Sequence, residues 1–87
     1  MRVEAGVAVL EGDLLLENAS RQLAEAEVAV GDGISIFDLS GLRNVDSSAL
    51  SLMLSLRRRA AGKPIEFRAV PESLASLAKL YGIADQL

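Results

Sequence analysis

The stretch that could carry chemistry is Asp46-Ser47-Ser48, an aspartate followed by two serines at the start of a leucine-rich segment. A serine hydroxyl becomes a nucleophile when a base removes its proton, and the chain contains no histidine to act as that base. The G-x-S-x-G arrangement of a hydrolase elbow is also missing. We therefore expect no enzyme and consider a helix cap, a contact surface and a phosphorylation site instead.

The cap and the phosphorylation site are both consistent with a helix that begins here. Asp46 or Ser47 is expected to accept a hydrogen bond from an unpaired amide of the first helical turn. A phosphate on Ser47 would be stabilised by the same amides and by the positive end of the helix dipole. Placed beside Asp46, it would act as a switch that disrupts any partner fitting the neutral serine.

The contact surface is indicated by the helix predicted over residues 47–61. At about 100° per residue, one arc of about 120° holds only serines and arginines: Ser47, Ser48, Ser51, Ser55, Arg58 and Arg59. Small hydroxyls let another surface come close, and arginine is enriched at interfaces. We predict a partner-binding face of Asp46, Ser47, Ser48, Ser51, Ser55 and Arg58, with Leu52 and Leu56 at its edge. For Arg57–Arg59 together, stabilisation of the helix C-terminus is an equal alternative.

Other segments of the chain alternate between strand and helix patterns. Val3, Ala5, Val7 and Val9 alternate with period two, and Ala5-Gly6 could turn this segment into a hairpin that Gly12-Asp13 ends. From about residue 17 to 30, apolar residues recur at helical spacing: Leu16, Ala19, Leu23, Ala26 and Val30. Residues 34–39, ISIFDL, then predict a buried strand with strands on both sides, followed by a loop to Asp46.

The remaining elements continue the alternation. The helix over residues 47–61 ends at Gly62, residues 65–70 form a further strand, and Pro71 opens a last helix. Because strand-helix-strand crossovers are right-handed and pair in parallel, this order predicts an α/β fold. We expect a single domain over residues 1–87, with a small mixed sheet of about four strands and helices packed against it.

Composition excludes several kinds of site. The chain has no cysteine and no histidine, so neither a disulfide framework nor a common zinc site is expected, and no metal or cofactor is predicted. A net charge of -3 argues against nucleic-acid binding, except locally around Arg57–Arg59, Lys63 and Arg68. The apolar stretch between Glu4 and Glu11 is too short for a signal peptide or a membrane span. A cytoplasmic setting without direct membrane insertion is predicted.

The run FDLSGLRNVDSSAL resembles the STAS domain shared by anti-sigma factor antagonists and sulfate transporter tails. The resemblance extends from GVAVLEGDL through the last helix, and VDSSALSLMLSL with LAKLYGIADQL is most similar to the MlaB-like branch. It implies a STAS fold and a non-catalytic role, with no small-molecule substrate. The implied partner is the ATPase subunit (MlaF-like) of a bacterial ABC system that maintains outer-membrane lipid asymmetry. Through that subunit the domain would reach a permease and lie peripherally at the inner membrane.

The resemblance also gives Ser47 two possible roles. In the antagonist branch the hydroxyl residue after the motif aspartate is phosphorylated by a partner kinase, and Ser47 holds that position. In the MlaB-like branch a hydroxyl residue there is implied to support ATPase docking. Ala49 stands where both branches usually have glycine. We expect Ala49 to narrow the space beside Ser47, which disfavours phosphorylation more than docking. An anti-sigma factor antagonist controlled through Ser47 is therefore the alternative function.

Overall fold

The strands of the sheet follow one another in the same order as in the chain. A computed structural model describes residues 1–87 and contains β1 (Arg2–Glu4), β2 (Val7–Leu14), β3 (Ile36–Val45) and β4 (Glu66–Arg68). The order across the sheet is β1-β2-β3-β4, with β1 antiparallel to β2 and the other neighbours parallel. The predicted α/β architecture, with a mixed four-stranded sheet and β3 between two strands, is confirmed.

The helices lie on one face of this sheet. They are α1 (Ala19–Gly31), α2 (Ser47–Arg59) and α3 (Glu72–Leu80), followed by a short 3-10 turn at Ala84–Gln86. Because β2, β3 and β4 step across the sheet in one direction, right-handed crossovers place α1 and α2 on the same side. Contacts between α1 and α2 and between α2 and α3 agree with this arrangement.

The core lies between the sheet and the helices. Side chains alternate along each strand, so Ala8 and Leu10 of β2 and Phe37 and Leu39 of β3 point towards the helices and are buried. From the helix side, α2 contributes the largest share: Ala49, Leu50, Leu52, Met53 and Leu56. The expectation that Leu56 borders the partner-binding face is wrong, because its side chain is 0% exposed and packs in this core. Leu52 is 3% exposed and also packs mainly in the core.

The predicted hairpin is confirmed, and the predicted end of its second strand is wrong. Ala5 and Gly6, with φ of 49° and 79°, form the two-residue turn between β1 and β2. Gly12-Asp13 does not end β2, which continues to Leu14. Gly12 has φ of 76° and lies at an irregularity in the pairing of β2 with β3. A glycine at positive φ here bends the strand without ending it.

β3 also continues beyond its predicted end at Leu39, through the segment predicted as a loop, to Val45. Pairing with the extended β2, including Glu11 with Gly41 and Leu14 with Val45, gives this polar segment its strand hydrogen bonds. Gly41 permits the close approach, since a Cβ there would lie 2.9 Å from the Leu10 carbonyl oxygen. The two long strands bring the start of α1 and the start of α2 side by side.

Candidate functional site

Asp46 connects the beginnings of α1 and α2. Its Oδ1 accepts a hydrogen bond from the Ser48 amide at 2.8 Å, which makes Asp46 the N-cap of α2. Its Oδ2 accepts a second hydrogen bond, at 3.0 Å, from the amide of Leu16 in the loop between β2 and α1. Of the two residues predicted as possible caps, Asp46 has that role. It also fixes the position of a loop 30 residues earlier in the chain.

These hydrogen bonds change the acidity of Asp46. The amide of Leu16 has the largest effect and, together with the amide of Ser48, lowers the pKa of the Asp46 carboxyl below its ordinary value of 3.8. The ionised carboxylate accepts both hydrogen bonds, so they favour the charged form. Asp46 therefore holds the two helix starts together as an anion.

The predicted serine and arginine residues lie on α2 with graded exposure. Ser47, Ser51 and Arg58 are exposed, whereas Ser48 and Ser55 are half-buried. Arg58 extends along the helix and its Nη2 donates a hydrogen bond to Ser55 Oγ at 3.1 Å. The structure thus places an open polar surface at α2, beginning beside the Asp46 cap. We call Ser47, Ser48, Ser51, Ser55 and Arg58 the serine face.

A groove of about 230 Å³ lies between the serine face and α1. Its walls come from the β2–α1 loop with the first turns of α1 and from α2: Leu16, Ala19, Ser20, Leu23, Ser48, Ser51, Leu52 and Ser55. The sequence pattern did not indicate the α1 wall. Leu16 was assigned to the apolar face of the first helix, but it precedes α1 and is 79% exposed. Its position depends on the hydrogen bond to Asp46, which joins residues distant in sequence.

The three arginines at the end of α2 have different surroundings. Arg57 Nη1 donates to the Ile65 carbonyl oxygen at 2.9 Å, its Nε donates to the Gln86 carbonyl oxygen, and its guanidinium lies 4.9 Å from the centre of the Phe67 ring. Arg59 forms a salt bridge with Glu27 of α1. Arg58 forms no salt bridge and stays exposed.

The same kind of contact determines how much charge is free in the basic cluster noted in the sequence, which comprises Arg57–Arg59, Lys63 and Arg68. Arg57 forms a hydrogen bond with the C-terminal segment. Arg59 forms a salt bridge with Glu27 of α1, and Arg68 forms one with Glu66 of its own strand. These contacts reduce the positive charge that is free to meet a phosphate backbone, and they leave Arg58 and Lys63 exposed without a salt bridge. Among the three consecutive arginines, Arg58 is therefore the one available to a partner.

Comparison with known families agrees with the fold. A family model described as "Mlab, STAS domain" matches residues 1–87. The chain belongs to this STAS domain family. No curated protein matches it significantly. STAS domains are in general non-catalytic. None of the helices of this STAS domain has the length and apolar character needed to cross a membrane.

Ala49, which the resemblance places at a position where glycine is expected, lies on the opposite side of α2 from Ser47. Its side chain is 0% exposed and belongs to the hydrophobic core, whereas Ser47 is exposed. The expectation that Ala49 narrows the space beside Ser47 is therefore wrong. The extra methyl group fills the core and leaves the Ser47 hydroxyl open to solvent.

The lowered pKa of Asp46 predicts a pH-dependent contribution to the stability of the STAS domain. Because the folded pKa lies below the ordinary value of 3.8, the carboxylate stabilises the fold above that pH, and the contribution is lost as the pH falls through the folded pKa. Asp46→Ala should therefore lower the urea midpoint most at pH 7 and progressively less as the pH is lowered below about 4.

Urea unfolding of the wild type and of Asp46→Ala at pH 7, 4 and 3 measures this difference. Asp85→Ala, which removes an exposed carboxylate near the C-terminus, is the matched control. A difference between wild type and Asp46→Ala that stays constant from pH 7 to pH 3 would contradict the assigned role of the ionised carboxylate.

Proposed function

We propose that this STAS domain is a non-catalytic subunit of a bacterial phospholipid ABC transport system. In this role it binds the ATPase subunit, supports its activity and is joined through it to a permease that acts in maintaining outer-membrane lipid asymmetry. The domain would act in the cytoplasm, peripheral to the inner membrane through its partner. The ATPase contact would be made by Asp46 and the serine face.

The observation that carries this proposal is the match of a MlaB-type STAS model to residues 1–87 in a chain whose Asp-Ser-Ser stretch opens an exposed helix surface. An exposed arginine without a salt bridge is of the residue type enriched at protein interfaces, and the small serine side chains beside it let another surface approach the helix closely. The absence of histidine and cysteine from the chain is consistent with binding without catalysis.

Copurification from the native cell tests the proposal. Tagged STAS domain, isolated at low detergent concentration, is expected to recover an ABC ATPase together with an integral membrane permease, identified by mass spectrometry. A tagged unrelated domain of similar size controls for adherence to the resin. Recovery of a small serine kinase without the ATPase and the permease would contradict the transport role.

The alternative, an anti-sigma factor antagonist, is favoured by one observation. Ser47 is exposed at the first position of α2, where free amides and the helix dipole accommodate a phosphate. The same copurification separates the two functions, because an antagonist would recover a kinase-type anti-sigma factor. Phosphate on Ser47 of the purified protein, detected by mass spectrometry, would support the alternative.

A further inference from the structure

The outward side of α3 is an open surface of the domain. On the inward side, Leu74 and Ala78 are 0% exposed and hold the helix against the core. At about 100° per residue, the outward side forms an arc of about 140° whose members are all exposed: Glu72, Ala75, Ser76, Lys79 and Leu80. We call these residues the α3 face. It lies on a different helix from the serine face and shares no residue with the groove beside α1.

Two opposite charges stand at the two ends of the α3 face. Glu72 lies in the first turn of the helix and Lys79 in the last turn, about 10.5 Å apart along the axis at about 1.5 Å per residue. Both signs suit the helix dipole. The salt bridges of the domain include neither side chain. Each charge therefore lacks a counter-ion within the domain, and a partner with the reverse order of charges would supply both.

A second copy of α3 carries that reverse order when it runs in the opposite direction. A two-fold axis between Ala75 and Ser76 places Glu72 of each copy opposite Lys79 of the other, because both residues lie equally far from the axis along the helix. A parallel pair would instead set glutamate against glutamate and lysine against lysine, which repel each other. The α3 face is thus complementary to itself in the antiparallel direction.

The other residues of the α3 face fit the same position of the axis. Ala75 and Ser76 face each other at the middle, where their small side chains let the two helix axes approach to about 8 Å. Leu80, which is 75% exposed, lies over Pro71 of the second copy, at the N-cap of α3. Covering this leucine removes apolar surface from water. Close approach, apolar burial and two ion pairs therefore arise from one arrangement.

We propose that the α3 face is the contact surface of an antiparallel, two-fold homodimer of this chain. A pair of nine-residue helices buries less than the area of about 1,200 Å² at which stable interfaces begin. The dimer is therefore weak and forms at high local concentration. The serine face and the groove take no part in it, so this inference is separate from the proposed function and neither depends on the other.

Sedimentation equilibrium of the purified chain tests the dimer. The wild type should approach the mass of a dimer at the upper end of a range of about 0.05–1 mM, which covers the dissociation constants of weak contacts. Glu72→Lys and Lys79→Glu each place like charges opposite each other twice. Each variant should raise the dissociation constant at least about 10-fold. Circular dichroism checks that both variants remain folded.

A mixture of the two variants tests the antiparallel pairing directly. When Glu72→Lys meets Lys79→Glu, every contact between the two different chains joins opposite charges again, so the mixture should regain association at about the wild-type level. The matched controls are Glu25→Lys and Lys63→Glu, which make the same changes of charge at exposed residues outside the α3 face. These controls should associate like the wild type, both alone and mixed.

Each result supports or overturns the dimer. Loss of association in each variant of the α3 face, its return in the mixture and unchanged controls support it. A wild-type chain that stays monomeric up to about 1 mM overturns it. Variants of the α3 face that associate like the wild type, or a mixture of them that stays monomeric, also overturn it. An equal loss in the controls does so as well, because net charge would then govern association.

Discussion

Ser47→Asp should lower the affinity of the STAS domain for the ATPase subunit by at least about 100-fold, equivalent to about 2.7 kcal/mol. Ser47 is exposed at the first position of α2, directly after the ionised Asp46. A second carboxylate there would place two adjacent negative charges at the start of a surface that otherwise offers hydroxyls. A partner fitted to a neutral serine would have to bury that charge without a counter-ion.

The fold should tolerate this change. An acidic side chain in the first turn of a helix interacts favourably with the helix dipole, which offsets part of the repulsion from Asp46. The free energy of unfolding should therefore change by no more than about 0.5 kcal/mol, as is usual for surface substitutions.

Titration calorimetry with the purified ATPase, combined with urea unfolding of the free domain, separates binding from folding. Ser76→Asp on α3 adds the same charge away from the serine face and should bind normally. Retention of wild-type affinity by Ser47→Asp would remove Ser47 from the interface. An equal loss of affinity in Ser76→Asp would show that overall charge, and not position, governs binding.

Phe37→Ala is expected to have the largest effect on stability, a loss of about 3–5 kcal/mol in the free energy of unfolding. Phe37 is 0% exposed, lies in the central strand β3 and packs 6.2 Å from the ring centre of Phe67. Removing the ring leaves a cavity between the sheet and the helices. Since small domains are stable by only about 5–15 kcal/mol, much of the total would be lost.

Urea unfolding at pH 7 measures this loss. Ile36→Ala, at the neighbouring residue whose side chain points to the helix-free face and is only half-buried, is the matched control and should cost less. A loss of less than about 1 kcal/mol in Phe37→Ala would show that the core is not centred on this ring. The variant that retains a folded population should still bind the ATPase, because Phe37 does not reach the serine face.

Much of the fold follows from local patterns in the chain. The alternation of strands and helices, the Ala5-Gly6 turn and the parallel pairing of the later strands were all predictable from periodicity and the handedness of crossovers. The missed part was the second half of β3, residues 40–45. Its polar side chains carry no alternating apolar signal, and its strand conformation comes from pairing with β2. Tertiary pairing of this kind cannot be recognised from one segment alone.

Only part of the site could be predicted from the sequence. Helical spacing alone grouped the serine face, and the residue types at the helix start indicated the cap. Helical spacing could not distinguish the roles of Arg57, Arg58 and Arg59. These roles depend on contacts with Phe67, the C-terminal segment and Glu27, which are distant in sequence. Helical spacing also could not identify Leu16 as part of the site, because the bond that places this residue comes from Asp46, 30 positions later.

The agreement between strand order and chain order has a consequence for how the domain folds. Each strand pairs only with its immediate neighbours in the chain, so every pairing closes a segment of moderate length and the entropy cost of each closure stays modest. The hairpin, α1, β3 and α2 occupy residues up to Arg59. Both walls of the groove therefore come from elements that are consecutive in the chain, so the groove forms through closures of moderate length.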